Sequence, residues 1–174
     1  MSKINLILIG VAFLSFTALG IAFASEAILG LEPCRLCIYQ RWPFALGILL
    51  GLVGFFLSYK RIILGITSIN FFVNSSIAFY HTGVEQKWWV SHFEGCAVFF
   101  PEDTKEQSFF ENLMSTPMAR CDEIPWQDPI FGFSMANYNI LLCFGIGLIC
   151  LTSIFYVKPE SDLEDHSSES SVSQ

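Results

Sequence analysis

Six cysteines are the residues of this 174-residue chain best suited to chemistry, and their spacing sorts them. Cys34 and Cys37 form a Cys-x-x-Cys pair within Glu32-Pro33-Cys34-Arg35-Leu36-Cys37-Ile38-Tyr39-Gln40-Arg41-Trp42-Pro43, and Arg41 follows the second thiol by four residues. Cys96 and Cys121 stand singly in a long, more polar stretch, whereas Cys143 and Cys150 lie i, i+7 in an apolar run. A vicinal dithiol moves electrons by thiolate attack on a disulfide, so its neighbours must favour the thiolate. Pro33 suits the first turn of a helix, which would set both thiols near that helix's positive end. Arg41 would then stand one turn after Cys37, where a fixed positive charge stabilises an anion. Pro43 complicates this geometry, because it removes one helical hydrogen bond and crowds Tyr39, so a kink or restart is expected there.

Three chemistries compete for Cys34, Cys37, Cys96 and Cys121. A structural zinc site also uses a Cys-x-x-Cys pair plus two further ligands, but Cys96 and Cys121 lack the short spacing usual in such sites. Purely structural disulfides are a second reading, weakened because a bridge across Cys34–Cys37 closes too short a loop to constrain the unfolded chain much. A redox relay between two pairs is the third. Cys143 and Cys150 read as buried small apolar residues.

The elements that must position these residues are membrane spans. The chain is 53% hydrophobic and 14% charged, against about 25% charged in ordinary soluble domains. Its apolar residues fall in four blocks, at about 5–24, 42–59, 62–80 and 138–157. Each approaches the roughly 20 residues that a helix needs to cross a bilayer. The fold class expected is an all-α, four-helix transmembrane bundle, in a single domain over 1–158. The formal net charge of −7 argues against nucleic acid as a partner.

Orientation follows from the basic residues. Lys3, Lys60-Arg61 and Lys158 flank the spans on one side, which the positive-inside rule makes cytoplasmic, together with both termini. The far side then holds a short segment around Cys34 and a loop over 81–137. All four candidate redox cysteines fall there, as befits an oxidising compartment. Ala22-Phe23-Ala24 resembles a signal-peptidase site, yet the apolar run before it is longer than a signal h-region, so an uncleaved first helix is expected.

Within the loop, Gly83 is expected to break the third helix, and Trp42, Trp88 and Trp89 read as interface anchors. An amphipathic helix is expected from Asp103 or Thr104 to about Met114, lying on the membrane or packed on the loop. The Ser- and acid-rich tail over 159–174 reads as disordered. His81 sits at the outer end of the third span. It is placed either to hydrogen-bond a lipid-soluble ligand or to pair with Glu85 at i, i+4.

Pro-Cys-x-Leu-Cys-Ile-Tyr-x-Arg, from Pro33 to Arg41, resembles the signature of the disulfide bond formation protein B (DsbB) family, bacterial inner-membrane thiol oxidases that use quinone. His81-Thr82-Gly83-Val84-Glu85 and Arg120-Cys121-Asp122-Glu123-Ile124-Pro125-Trp126 are similar to segments of a shorter-loop branch of that family. The resemblance implies that Cys96 and Cys121 form the disulfide that accepts electrons from a periplasmic DsbA-like dithiol protein. Cys96 would take the mixed disulfide and Cys121 would pair transiently with Cys34. Cys37 would face a bound ubiquinone or menaquinone, with Arg41 helping to hold it; His81, by its place at the outer end of the third span, is a further candidate contact. The lipid bilayer and its quinone pool complete the implied partners. Two rivals remain: a family paralogue dedicated to one partner, and a non-catalytic membrane protein whose loops are stapled by disulfides.

Overall fold

The computed structural model describes residues 3–57, 59–91, 96 and 119–156. The expected loop helix over about 104–114, Lys158 and the tail over 159–174 lie outside them. Four helices are described: α1 (Lys3–Leu29), α2 (Arg35–Phe56), α3 (Lys60–Glu85) and α4 (Met135–Tyr156). Each is long and apolar enough to cross a membrane, and among the described residues there is no β-strand, only an isolated bridge between Gln127 and Ser134. The chain is a four-helix membrane bundle.

The bundle is built as lipid-embedded helices require. Large apolar side chains face outward: Leu6, Phe13, Phe16, Phe56, Ile69 and Phe155 are all exposed. The interior combines apolar side chains such as Leu8, Phe44, Leu64 and Phe71 with small and polar groups, among them Ser15, Thr67, Ser68, Asn74 and Ser75. With no hydrophobic drive between helices in lipid, close packing and interhelical hydrogen bonds hold them together. α1 packs chiefly on α2 and α3 on α4, while α2 and α3 join the two pairs. At Gly51 an added Cβ would lie 2.6 Å from the Leu8 carbonyl oxygen and 2.8 Å from the Ala12 Cβ, so only glycine lets α1 and α2 approach this closely. Ser68 Oγ–H donates to the Gly147 carbonyl at 2.9 Å, tying α3 to α4.

Helix ends explain where the helices overrun the expected spans. α1 continues to Leu29 and stops at Gly30, whose φ of 65° is the left-handed conformation that ends helices. α2 begins at Arg35, seven residues before the expected span at Trp42, so the Cys-x-x-Cys pair opens the spanning helix itself. Its N-cap is Cys34, whose sulfur accepts the Cys37 N–H. Pro33 therefore precedes the cap and does not occupy the first turn. At Pro43 α2 runs on without a break. Two amides of α3 brace that turn: Asn70 Nδ2 donates to the Pro43 carbonyl at 2.9 Å and Asn74 Nδ2 to the Gln40 carbonyl at 3.3 Å. Both bonds tie α2 to α3 at the level of Pro43.

Gly83 does not break α3, which runs on to Glu85. The lack of a side chain serves packing: a Cβ there would run into the six-membered ring of Trp89. That indole stacks on Tyr80 with centroids 5.8 Å apart, and its Nε1–H donates to the Tyr80 carbonyl at 3.2 Å. α4 is entered through a turn organised by Asp128, which accepts the N–H groups of Ile130 and Phe131 and the Tyr138 hydroxyl. The Ser134 hydroxyl then accepts the Asn137 N–H at 3.4 Å, as a capping residue does.

Candidate functional site

The two cysteine pairs meet at one end of the bundle. Cys34, Leu36, Val84, Cys96 and Cys121 form a single buried cluster, with Cys37, Tyr80, Trp89 and Ala119 packed against it. Cys96 and Cys121 are joined in a disulfide with Cα atoms 4.7 Å apart, within the span such bridges allow. Both sulfur-bearing residues are fully buried. Cys34 and Cys37 are thiols, and Cys34 S–H donates to the Cys37 sulfur at 2.9 Å. Cys143 and Cys150 are buried thiols of α4, packed in the bundle core away from this cluster.

Geometry makes the two vicinal thiols unequal. Cys34, as N-cap, accepts the Cys37 N–H at 3.3 Å while its own proton goes to Cys37. That hydrogen bond, and then burial, push the Cys34 thiol well above the ordinary thiol range. The helix start thus favours charge on one sulfur of the pair, not on both.

His81 stands beside Cys34, with Nε2 3.5 Å from its sulfur. Its other nitrogen accepts from Gln40 Nε2 at 3.1 Å. Gln40 is oriented in turn, because its Oε1 accepts from Asn139 Nδ2 at 2.6 Å, and Asn139 Oδ1 accepts the Cys143 S–H at 3.1 Å. With the amides oriented in this way, His81 Nδ1 accepts and Nε2 carries the proton. That N–H faces Cys34 on one side and Glu85 Oε1, 3.6 Å away, on the other. Glu85 is held by the Ser134 hydroxyl, which donates to Oε2 at 2.5 Å.

Arg41 lies one turn beyond Cys37 on the unbroken helix, but its guanidinium turns toward α1. Nη1 donates to Glu26 Oε2 at 2.9 Å, and the guanidinium carbon lies 4.8 Å from the centre of the Phe23 ring. Arg35, next to Cys34, is exposed. Trp88 is exposed as an interface residue would be, whereas Trp89 covers the cysteine cluster.

Cys34, Cys37 and His81 bring three donor atoms within 4.8 Å of one another, the spacing of a metal site. The imidazole does not offer its lone pair there, because Gln40 donates to Nδ1 and leaves the proton on Nε2. The four-thiolate zinc site considered from sequence loses two ligands to the Cys96–Cys121 disulfide.

A model of the family "Disulfide bond formation protein DsbB" matches residues 4–153. The chain belongs to the DsbB family. As a DsbB-family protein it is a multi-pass membrane protein of disulfide bond formation. An uncharacterized protein of Rickettsia prowazekii (strain Madrid E) is 29% identical over 161 residues, covering 89% of this chain and 88% of its own. No solved structure matches the chain.

Sequence reasoning missed Glu26, Gln40, Asn139 and Ser134, all of which organise the site. One signal was available for Gln40 and Asn139, since amides in apolar helices are costly unless they bond one another across the bundle.

Proposed function

We propose that this DsbB-family protein is a quinone-dependent thiol oxidase, which withdraws electrons from a periplasmic DsbA-like dithiol protein and passes them to membrane quinone. The observation that carries this reading is the shared cluster of Cys34, Cys96 and Cys121 at the bundle end where α2 begins and α3 ends. Lys3 and the Lys60-Arg61 pair lie at the opposite end, which supports an inner-membrane orientation with the cysteines outward.

Exchange runs inward through this chain's own sulfurs. The partner's thiolate attacks the Cys96 sulfur, and Cys121 leaves as a thiolate. The partner's second thiolate then attacks its own mixed-disulfide sulfur, freeing Cys96 as it closes the partner's disulfide. Cys121, with Cys34 in the same cluster, attacks that sulfur when Cys34–Cys37 is oxidised, and Cys37 departs. Cys96 closes back on Cys121 and leaves Cys34 and Cys37 as the dithiol. The quinone supplies a two-electron, two-proton acceptor confined to lipid.

The residues around Cys37 fit such a ring. Cys37 is only half-buried on α2, where Ile38 and Trp42 are exposed and apolar, and Phe23 is exposed on α1. Arg41 supplies N–H donors beside them. His81 is less available, since its nitrogens already face Gln40, Cys34 and Glu85. Its role in this reading is to hold Cys34.

The test is to mix purified protein with ubiquinone and a reduced thioredoxin-like partner and to follow the quinone absorbance. Quinone is expected to be lost with wild type and not with Cys37→Ser. With Cys96→Ser, partner oxidation should stop while quinone still oxidises Cys34 and Cys37. No quinone loss in wild type, or equal loss in the Cys37 variant, would refute the relay and leave stapled loops.

A further inference from the structure

Glu85 is a carboxylate where one is expensive. Its side chain is 3% exposed, and it ends a membrane helix whose preceding residue, Val84, belongs to the cysteine cluster. A buried carboxylate normally has a full cationic partner, and desolvation is severe without one. Here the groups facing Glu85 are His81 from its own helix and the Ser134 hydroxyl at the start of α4. The hydroxyl donates to Oε2 at 2.5 Å, whereas the imidazole Nε2 lies 3.6 Å from Oε1, a contact longer than a hydrogen bond.

The charges around the dithiol can be named element by element. α2 contributes Arg35, which is exposed, and Arg41, and α1 contributes Glu26, bound to that guanidinium. α3 contributes Tyr80, His81 and Glu85, and Lys87 follows its end. The segment before α4 brings the non-titrating Cys121 and Arg120, which pairs with both Asp122 and Glu123. Arg41 is the cation best placed to stabilise a thiolate at Cys37, and its charge is offset by Glu26. On the other side of the dithiol stands Glu85, one imidazole away from Cys34.

We infer that Glu85 is a positioning residue of the redox site, whose negative charge opposes a thiolate at Cys34–Cys37 and so biases that couple toward its disulfide. The inference rests on the thiol-oxidase reading and says how the dithiol is poised within it. A couple whose reduced form is disfavoured gives electrons up readily. When it does, one S–S bond forms, two electrons pass to the quinone, and the dithiol's two protons leave with them, which balances the step. The Ser134 hydrogen bond aims the carboxylate and favours its charged form against burial, and Ser134 belongs to the segment that also carries Cys121.

The experiment uses the full chain in detergent without quinone. It is done in a Cys96→Ser, Cys121→Ser background, so that Cys34 and Cys37 are the only redox pair outside α4. Thiolate absorbance near 240 nm is followed against pH, and the reduction potential is read against a dithiothreitol buffer. Glu85→Gln preserves size and can still accept the Ser134 hydrogen bond, but it removes the charge. It should lower the midpoint of thiolate formation by about one pH unit, a roughly tenfold rise in thiolate fraction below the midpoint. The couple should become more oxidising by up to tenfold in its equilibrium constant, which is about 30 mV for two electrons. Glu85→Asp, which keeps the charge, should stay near the parent. Ser134→Ala should move the midpoint the same way as Glu85→Gln by a smaller amount, and it serves if the Gln variant fails to fold. An unchanged or raised midpoint in folded Glu85→Gln, or a shift matched by Glu85→Asp, would overturn the inference. Neither result touches the quinone assay, which stands or falls on Cys37.

Discussion

Replacing Gln40 with leucine tests whether the amide chain inside the bundle holds the site together. The side chain donates to His81 Nδ1 at 3.1 Å and accepts from Asn139 at 2.6 Å, so the substitution removes two interhelical hydrogen bonds. It also strands the part-buried Asn139 N–H and the buried His81 nitrogen. Interhelical hydrogen bonds in membranes average about 0.6 kcal/mol, with a ceiling near 1.7. A stranded buried partner costs about 1–3 kcal/mol. Gln40→Leu should therefore destabilise the bundle by about 1–3 kcal/mol, read by unfolding in mixed detergent micelles with tryptophan fluorescence. Asn139→Leu should cost a similar amount. The double variant should cost less than the sum by about 1 kcal/mol, since replacing both partners with apolar groups strands less. The imidazole nitrogen resonances give a second readout: Nε2 carries the proton in the wild type, and both tautomers are populated in Gln40→Leu. Additivity within about 0.3 kcal/mol, with an unchanged tautomer, would refute the chain of orientation from Cys143 to His81.

Two further outcomes follow from single contacts. Gly83→Ala should displace Trp89 from Tyr80 and destabilise the fold by about 1–3 kcal/mol of overpacking, and the Cys96–Cys121 disulfide should then be reduced faster by dilute dithiothreitol. Unchanged reduction would mean that Trp89 does not cover that bridge. Arg120 holds the Asp122 carboxyl below the usual range, through paired hydrogen bonds of 2.9 and 2.7 Å. Because the folded value is the lower one, the pair stabilises above the unfolded pKa of about 4, and this is lost as pH falls through the folded value. Arg120→Ala should return the Asp122 titration, followed by carboxyl NMR, to the ordinary range. Since the arginine is 45% exposed, stability at neutral pH should fall by no more than about 1 kcal/mol.

The four apolar blocks were legible because lipid demands length and composition, and the all-α membrane bundle follows from them. The Cys-x-x-Cys was legible because its spacing is local. What stayed hidden depends on partners far away in the chain. Gln40 and Asn139 are 99 residues apart, and nothing near either reveals the other. Glu26 lies 15 residues before Arg41, beyond the expected end of the first span, so it reads as a loop acid until α1 is seen to continue to Leu29. Pro43 was ambiguous because a proline inside a helical pattern either ends the helix, kinks it or is carried within it, and only the observed run from Arg35 to Phe56 decides between these. Gly83 was misread as a breaker because a glycine needed for an indole's close approach has the same local pattern as one that ends a helix.

The burial of the Cys96–Cys121 bridge bears on how the relay can work. Thiol–disulfide exchange needs the attacking thiolate to reach one sulfur directly. Both bridge cysteines are fully buried against Cys34, with Trp89 and Ala119 packed on the cluster. The arrangement brings Cys121 to the dithiol in advance and leaves Cys96 shielded from water. Under the proposed function, partner access to the bridge is then a step that requires motion. A bridge guarded in this way also resists adventitious small thiols, which would otherwise drain electrons into the quinone pool. The cover over the bridge therefore contributes to selectivity. That is why loosening Trp89 at Gly83 should increase reduction by dithiothreitol more than it increases the rate with a protein partner, whose docking can itself displace the cover.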